Sequence, residues 1–308
     1  MSCISIMALR HSAFYSPLLM SVAGGFLKDE GLEPIYTLAS PVKTIPDSIA
    51  NGSCDVAQSA VATGFASLER NVELVKQSVK QPLKEPQIIH FSQINERDGF
   101  FIAGREKDDN FQWSKLAGKT ILVDHLFQPM ATLKYVLHKH GVDYASLNVI
   151  DGGSVDEIDQ AFRSGVADYV HQQGPSPQQL QKEGLGYVLA SVGDEIGPVA
   201  FSSLCASREW LEKDEAKAFM RAYRKALIYS IEAPAEEIAA KEAEAGFFPN
   251  IDVDVLTSTI EAYKKLGCWQ ADPMISPTAY EKLLDIFEFN RLISTRYSYD
   301  TLIQSPPE

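Results

Sequence analysis

Several features are scarce in this chain, and each scarcity excludes something. The four cysteines, Cys3, Cys54, Cys205 and Cys268, lie far apart with no CxxC or other paired spacing. Thiols so placed read as reduced core residues rather than as a disulfide framework. Positive charge is also short: 28 lysines and arginines face 41 aspartates and glutamates, a formal net charge of −13. Nucleic acid and anionic membrane surfaces both need a cationic face, so neither is expected as a partner. A small anion held by local dipoles stays compatible with this balance. No segment approaches the roughly 18 consecutive apolar residues of a membrane span. Met1 and Ser2 lead straight into an apolar run, without the basic stretch and apolar core of an export signal. The expectation is a cytoplasmic chain, or a periplasmic or extracellular one if a signal was removed. Signatures of nucleophilic or nucleotide chemistry are missing too: there is no GxSxG elbow, P-loop, or GxGxxG after a strand.

What is present is a globular composition, 45% hydrophobic and 22% charged over 308 residues, enough for two domains with a core each. Its organisation is a repeat. One copy runs from Ser2 to Ser59 and the other from Lys119 to Gln172. Each opens with an apolar strand, Ile4 to Leu9 or Thr120 to Val123, and a histidine follows directly, His11 or His125. A helical stretch then ends at Gly31-Leu32 or Gly141-Val142, where glycine suits a helix C-cap. A second strand follows, Pro34 to Ala39 or Ser146 to Ile150. Each copy closes on Gly-x-x-Asp followed by a strand, at Gly52 to Asp55 and Gly165 to Asp168. Two βαβαβ halves predict two similar lobes with a cleft between them, where small ligands bind.

Between the copies lies a polar, proline-bearing stretch from Gln81 to Arg97, read as a connection, then an apolar strand from Gly99 to Ala103. After the second copy come the segment Gly184 to Ala190, a turn over Gly193 to Pro198, and the strand Val199 to Cys205. The chain is expected to cross to the second lobe near 98–105 and return near 192–199. The remainder is helical, over Trp210 to Ile231, Pro234 to Ala245, Asp254 to Leu266 and Pro277 to Leu292, with apolar residues close to a 3.6 period. These helices are expected to pack back on the first lobe. The lobes would then be residues 1–100 with 197–308, and residues 101–196.

Four stretches carry a resemblance: Tyr15 to Leu32, Ile49 to Val56, Leu116 to Ile121, and Leu266 to Trp269 with Ser276 to Tyr280. Through them the chain resembles the type II periplasmic-binding-protein-like family, an α/β fold with a sheet and flanking helices in each lobe and a two-strand hinge. Within it the chain looks like the branch of sulfonate-, nitrate- and thiamine-pyrimidine-precursor-binding proteins, which also includes the fungal synthase of the thiamine pyrimidine. That synthase consumes a lysine and a histidine of its own. The corresponding positions here are about Ser59 and Thr63, which supply neither an amine nor an imidazole. Its cysteine-rich iron motif would fall near Ile196 to Ala200, where no cysteine stands. The resemblance therefore implies the binding scaffold and not that chemistry.

In open α/β sheets ligands sit beyond the carboxyl ends of the strands. The repeat places there Arg10, His11, Phe14, Tyr15, Ser40, Gln58 and Ser59 in one lobe. In the other it places Asp124, His125, Phe127, Gln128, Gly153, Ser154, His171 and Gln172. Such a wall of rings, amides and hydroxyls suits a flat polar heterocycle, stacked on Phe14, Tyr15 or Phe127 and read along its edge by amides. Gly152 to Glu157 has two readings. Its backbone amides could hold an anion, but Ser154 and Glu157 form an S-x-x-E capping box that satisfies those donors internally, and the plain cap is preferred. His11, His125 and His171 could meet around a zinc ion, yet no local ligand spacing supports it, and hydrogen-bonding neutral histidines are the reading adopted. Neither metal nor cofactor is expected. The expected function is a solute-binding-like protein closing over a small polar ligand of thiamine-pyrimidine-precursor type. The alternatives are an enzyme of thiamine-pyrimidine biosynthesis without the usual reactive residues, or the binding component of an ABC importer. Oligomeric state is left open.

Overall fold

The structure, a computed structural model, describes residues 2–76, 88–124 and 127–308. Ten strands form two five-stranded sheets. β1 (Ser2–Ala8), β2 (Leu32–Leu38), β3 (Val56–Ser59) and β4 (Ile88–Asn95) belong to the first, and β5 (Phe100–Gly104), β6 (Thr120–Val123), β7 (Asn148–Asp151), β8 (Tyr169–Gln173) and β9 (Tyr187–Ser191) make up the second. β10 (Ser202–Ser207) returns to the first sheet. The orders are β2-β1-β3-β10-β4 and β7-β6-β8-β5-β9. In each, the first three strands are parallel and the fourth runs antiparallel to both neighbours. The repeat read from the sequence thus extends to five strands per sheet. The fourth and fifth strands of each sheet adjoin the crossings: residues 96–99 join β4 to β5, and residues 192–201 join β9 to β10.

Helices flank both sheets. In the first part of the chain they are α1 (Ser16–Ala23), α2 (Phe26–Asp29), α3 (Ile45–Ala50) and α4 (Val61–Lys76). Beside the second sheet lie α5 (Phe127–Lys139), α6 (Val155–Arg163), α7 (Ser176–Lys182) and α8 (Val192–Ile196). The tail carries α9 (Arg208–Leu211), α10 (Asp214–Glu232), α11 (Ala235–Glu244), α12 (Val253–Leu266), α13 (Pro277–Phe289) and α14 (Tyr299–Leu302). α10 and α11 pack on α1, and α12 packs on α11 and α7. Burial follows the apolar stripes, as in α13, where Tyr280, Leu283, Leu284 and Phe287 are covered.

Several local expectations need correction. The helix expected to run to Gly31 is interrupted, because Gly25 takes the left-handed backbone region (φ 78°) and separates α1 from α2. The segment read as a turn at Gly193 to Pro198 begins with α8, which Ser191 caps by accepting from the Asp194 amide. The connection expected over Gln81 to Arg97 contains β4, whose apolar and polar side chains alike are covered; residues 81–87 of it lie outside the described residues. The helix expected over Trp210 to Ile231 is two helices, α9 and α10. Cys54, Cys205 and Cys268 are buried and free, but Cys3 is exposed, because β1 begins at the open end of its sheet.

Candidate functional site

The two sheets face each other across their strand ends, and the chain bonds directly across that gap. Arg10, just past β1, donates from Nη1 to Asp124 Oδ2 at 2.6 Å, just past β6. The side chains are 18% and 6% exposed. Burial alone would lower the Arg10 pKa, but the charge and hydrogen bond of Asp124 raise it on balance. Ser12 Oγ donates to the Gly174 carbonyl at 2.7 Å, and the Gly174 amide donates to Tyr263 Oη at 2.8 Å. That hydroxyl donates in turn to the Gly99 carbonyl at 3.1 Å. A Cβ at position 174 would stand 2.7 Å from Thr259 and 2.8 Å from the Tyr263 hydroxyl, so only glycine permits this approach.

Between these bonds lies a cavity of about 30 Å³, lined in part by Arg10, His11, Asp124, Gln172 and Gln173. Of its lining residues, both amide atoms of Gln172 and Gln173 Oε1 are buried without partners; Gln128 Oε1 and both His171 nitrogens, outside that lining, are buried without partners too. Gln128 spends its amide on the Ala200 carbonyl at 3.0 Å. His171 is 0% exposed and stacks on Phe100, with ring centres 4.7 Å apart. Burial lowers its pKa to about 4, against a smaller opposing effect of Asp124, so the ring is neutral near pH 7.

The other predicted residues are placed as follows. Phe14 is fully buried among Tyr15, Phe201 and Tyr263. Tyr15 is buried beside Gln173 and Ser202, and burial raises its pKa. Gln58 holds the end of β1, accepting from the Leu9 amide at 3.0 Å. Ser59 Oγ lies 3.2 Å from Thr63 Oγ1. Ser40 is exposed in the tight loop closed against Lys43. Phe127 packs edge-on against Phe287. Just after Gly153, Ser154 and Glu157 form the capping box of α6, with Glu157 Oε2 accepting from the Ser154 amide at 2.7 Å. His125 lies outside the described residues. Among the described residues no three His, Cys, Asp or Glu side chains gather as a metal set.

His11 opens on a group that sequence reading missed. Its ring stacks on Tyr36 of β2 (5.6 Å, 23°) and meets Phe247 and Phe248 edge-on at 5.7 and 6.3 Å. Tyr36 and Phe247 also meet edge-on at 5.1 Å. Glu242 of α11 is 0% exposed, and neither carboxylate oxygen has a partner. Burial lifts its pKa to about 8. The adjacent Ser16 hydroxyl works the other way, but it spends its proton on the Ala13 carbonyl at 2.7 Å. The signal for Glu242 was available: it stands one turn after Ile238, on the face that Ala235, Ile238 and Ala239 bury.

Comparison with known proteins agrees with this architecture. The family described as "NMT1/THI5 like" matches residues 13–237. The protein YtlA of Bacillus subtilis (strain 168) is 30% identical over 305 residues, covering 97% of this chain and 87% of its own. Among solved structures, the ligand-binding component of an ABC-type import system from Staphylococcus aureus, with zinc bound, superimposes with a TM-score of 0.74. It is 16% identical, over 99% of this chain and 97% of its own. The alkanesulfonate-binding protein SsuA from Xanthomonas axonopodis pv. citri, bound to MOPS, gives 0.71 at 15% identity over 99% of both chains. The fold is the two-lobed type II periplasmic-binding-protein fold.

Proposed function

The chain belongs to the NMT1/THI5-like family, and from that premise we propose that it is a solute-binding protein closing two lobes over a small polar, heterocyclic ligand. The lobes are residues 1–100 with 197–308, and residues 101–196. The unpartnered amide and imidazole atoms of Gln128, His171, Gln172 and Gln173 carry this reading. Each buried polar atom left unpaired costs about 1–3 kcal/mol. Such a group of them is a deficit that a ligand rich in donors and acceptors removes where it reaches them, and each amide offers both. A cavity of about 30 Å³ holds little more than a water. The ligand therefore enters an open state, and its contacts to both lobes favour a closed one somewhat wider than this.

Ser59 and Thr63 supply hydroxyls where the fungal synthase has its reactive pair, which favours binding over catalysis. A second reading, the binding component of an importer, is favoured by the Staphylococcus aureus neighbour, whose name gives that role. It changes the compartment and leaves the chemistry of the cleft as it is. Mass spectrometry of whatever the purified protein releases on denaturation tests the proposal. An intact small polar molecule is expected, and adding it back should raise the melting temperature. An empty protein that no small polar molecule stabilises, or a molecule recovered chemically converted, would overturn it.

A further inference from the structure

We propose that Gly174 and Tyr263 form a closure latch, in which the peptide groups of Gly174 find their partners when the lobes come together and Tyr263 ties that contact to the crossing at Gly99. This rests on the two-lobed closure of the solute-binding reading and names the residues that register it. Gly174 follows directly on β8, the strand that ends in Gln172 and Gln173. It is buried, and both of its backbone groups are spent on the other lobe. The carbonyl accepts from Ser12 Oγ at 2.7 Å, and the amide donates to Tyr263 Oη at 2.8 Å. Ser12 is 1% and Tyr263 0% exposed, so water does not compete for either bond.

Tyr263 is fixed where this contact needs it. It lies in the last turn of α12, with its ring between Phe14 of one lobe and Phe101 of the other, at centre distances of 5.0 and 5.7 Å. Its single proton goes to the Gly99 carbonyl at 3.1 Å, which leaves the oxygen free to accept from Gly174. One hydroxyl thus joins the helical tail, the first crossing and the loop after β8. Opening separates the last of these from the other two. Gly99 and Tyr263 stay together in the lobe of residues 1–100 with 197–308, while Gly174 leaves with residues 101–196. Its amide and carbonyl then turn to water, so the two bonds favour the closed arrangement alone.

Shape makes the same demand. A Cβ at position 174 would meet Thr259 at 2.7 Å and the Tyr263 hydroxyl at 2.8 Å, both on α12, and the end of the Gln178 side chain at 2.9 Å. The backbone of Gly174 does not take a positive φ, so an alanine there is opposed by the facing lobe rather than by its own conformation. That clash belongs to the closed arrangement and disappears on opening. Arg10, Asp124 and Gly174 line one cavity, together with Gln172 and Gln173. The ion pair and the latch therefore bias the same equilibrium, and a solute held by Gln172 and Gln173 acts on the residues next to the latch.

The test is amide hydrogen exchange and small-angle scattering on the ligand-free protein. In the wild type the Gly174 amide should exchange through lobe opening, protected at least about tenfold less than the amides inside β8, which need the sheet to unfold. Arg10→Ala should speed exchange at Gly174 by about tenfold or more and leave the interior of β8 unchanged. Gly174→Ala should enlarge the radius of gyration. Tyr263→Phe keeps the ring and loses the bond, so it should shift the ratio of open to closed by about three- to tenfold. Exchange in the wild type and Arg10→Ala decides the matter even if Gly174→Ala folds poorly. A Gly174 amide as protected as the interior of β8 and indifferent to Arg10→Ala overturns the latch. So does a loss of unfolding stability in Gly174→Ala and Tyr263→Phe at an unchanged radius of gyration, since these contacts then hold the fold. Either result leaves the solute-binding reading to its own test. If the latch behaves as expected while denaturation releases no solute and none stabilises the protein, that reading falls alone.

Discussion

Under the proposed closure, Arg10 is the residue on which the movement turns. It leaves the end of β1, crosses the gap and meets Asp124 in a pair mostly withdrawn from water. Breaking such a pair costs about 3 kcal/mol, because charges that stay covered lose a partner. In Arg10→Ala that cost falls on the closed arrangement, since in an open one Asp124 is hydrated. The variant should therefore spend more time open, with a larger radius of gyration by small-angle scattering without ligand. Denaturant unfolding of the whole chain should move much less. An unchanged radius of gyration, together with a large loss of unfolding stability, would mean that the pair holds the fold rather than the closure.

At the scale of elements, α6 separates two roles that one motif could serve. Its first turn is satisfied from within, by Ser154 and Glu157 on each other's amides, and Asp156 and Glu157 place negative charge where an anion would lie. Ser154→Ala should lower unfolding stability by about 1 kcal/mol, the usual cost of losing such a cap, while ligand affinity stays within about twofold. A loss of affinity without a loss of stability would put the ligand on this helix end. The box was legible because it is local: four consecutive residues determine it. The same holds for the repeat, whose parallel strands β1, β2, β3 and β6, β7, β8 were each marked by an apolar run and a closing glycine. β4 was not legible, because Ile88 to Asn95 mixes His90, Ser92, Gln93 and Asn95 with its apolar residues, and these polar residues are buried by partners distant in sequence. His90 bonds to Ser203 and Asn95 to the Phe14 carbonyl. The proposed cleft divides in the same way. Strand ends gave Arg10, His11, Asp124, Gln128, His171 and Gln172, while Tyr36, Glu242, Phe247 and Tyr263 come from mid-strand or from the helical tail. Only the tertiary fold brings those to the site.

Across the whole molecule, four buried ionisable groups set an unusual dependence of stability on pH. His90 and His171 are held neutral by burial, with pKa values lowered to about 3 and about 4. As pH falls below about 6.5 the unfolded chain takes up protons that these rings refuse, so their contribution is lost toward acid. Asp98 and Glu242 act in the opposite direction. Burial raises them to about 7 and about 8, against smaller lowering effects of Thr132 and the Phe100 amide on Asp98 and of the nearby Ser16 hydroxyl on Glu242. Their neutral forms favour the fold at low pH, and that contribution is lost as pH rises from the ordinary carboxylate range to those values. Between about pH 4.5 and 6.5 the two histidines and the two acids nearly cancel. Above 6.5 only the acids still titrate, over about half a unit for Asp98 and about one and a half for Glu242. At about 1.4 kcal/mol per unit, the unliganded protein should lose about 2–3 kcal/mol between pH 6.5 and 8.5. Denaturant melts across that range check the sign directly. Glu242→Gln should remove the larger part of the slope and Asp98→Asn the rest, provided each variant folds. A flat or rising stability from pH 6.5 to 8.5 in the unliganded wild type would mean that Asp98 and Glu242 ionise near their ordinary values, and the covered carboxylate would then need a partner in the empty protein.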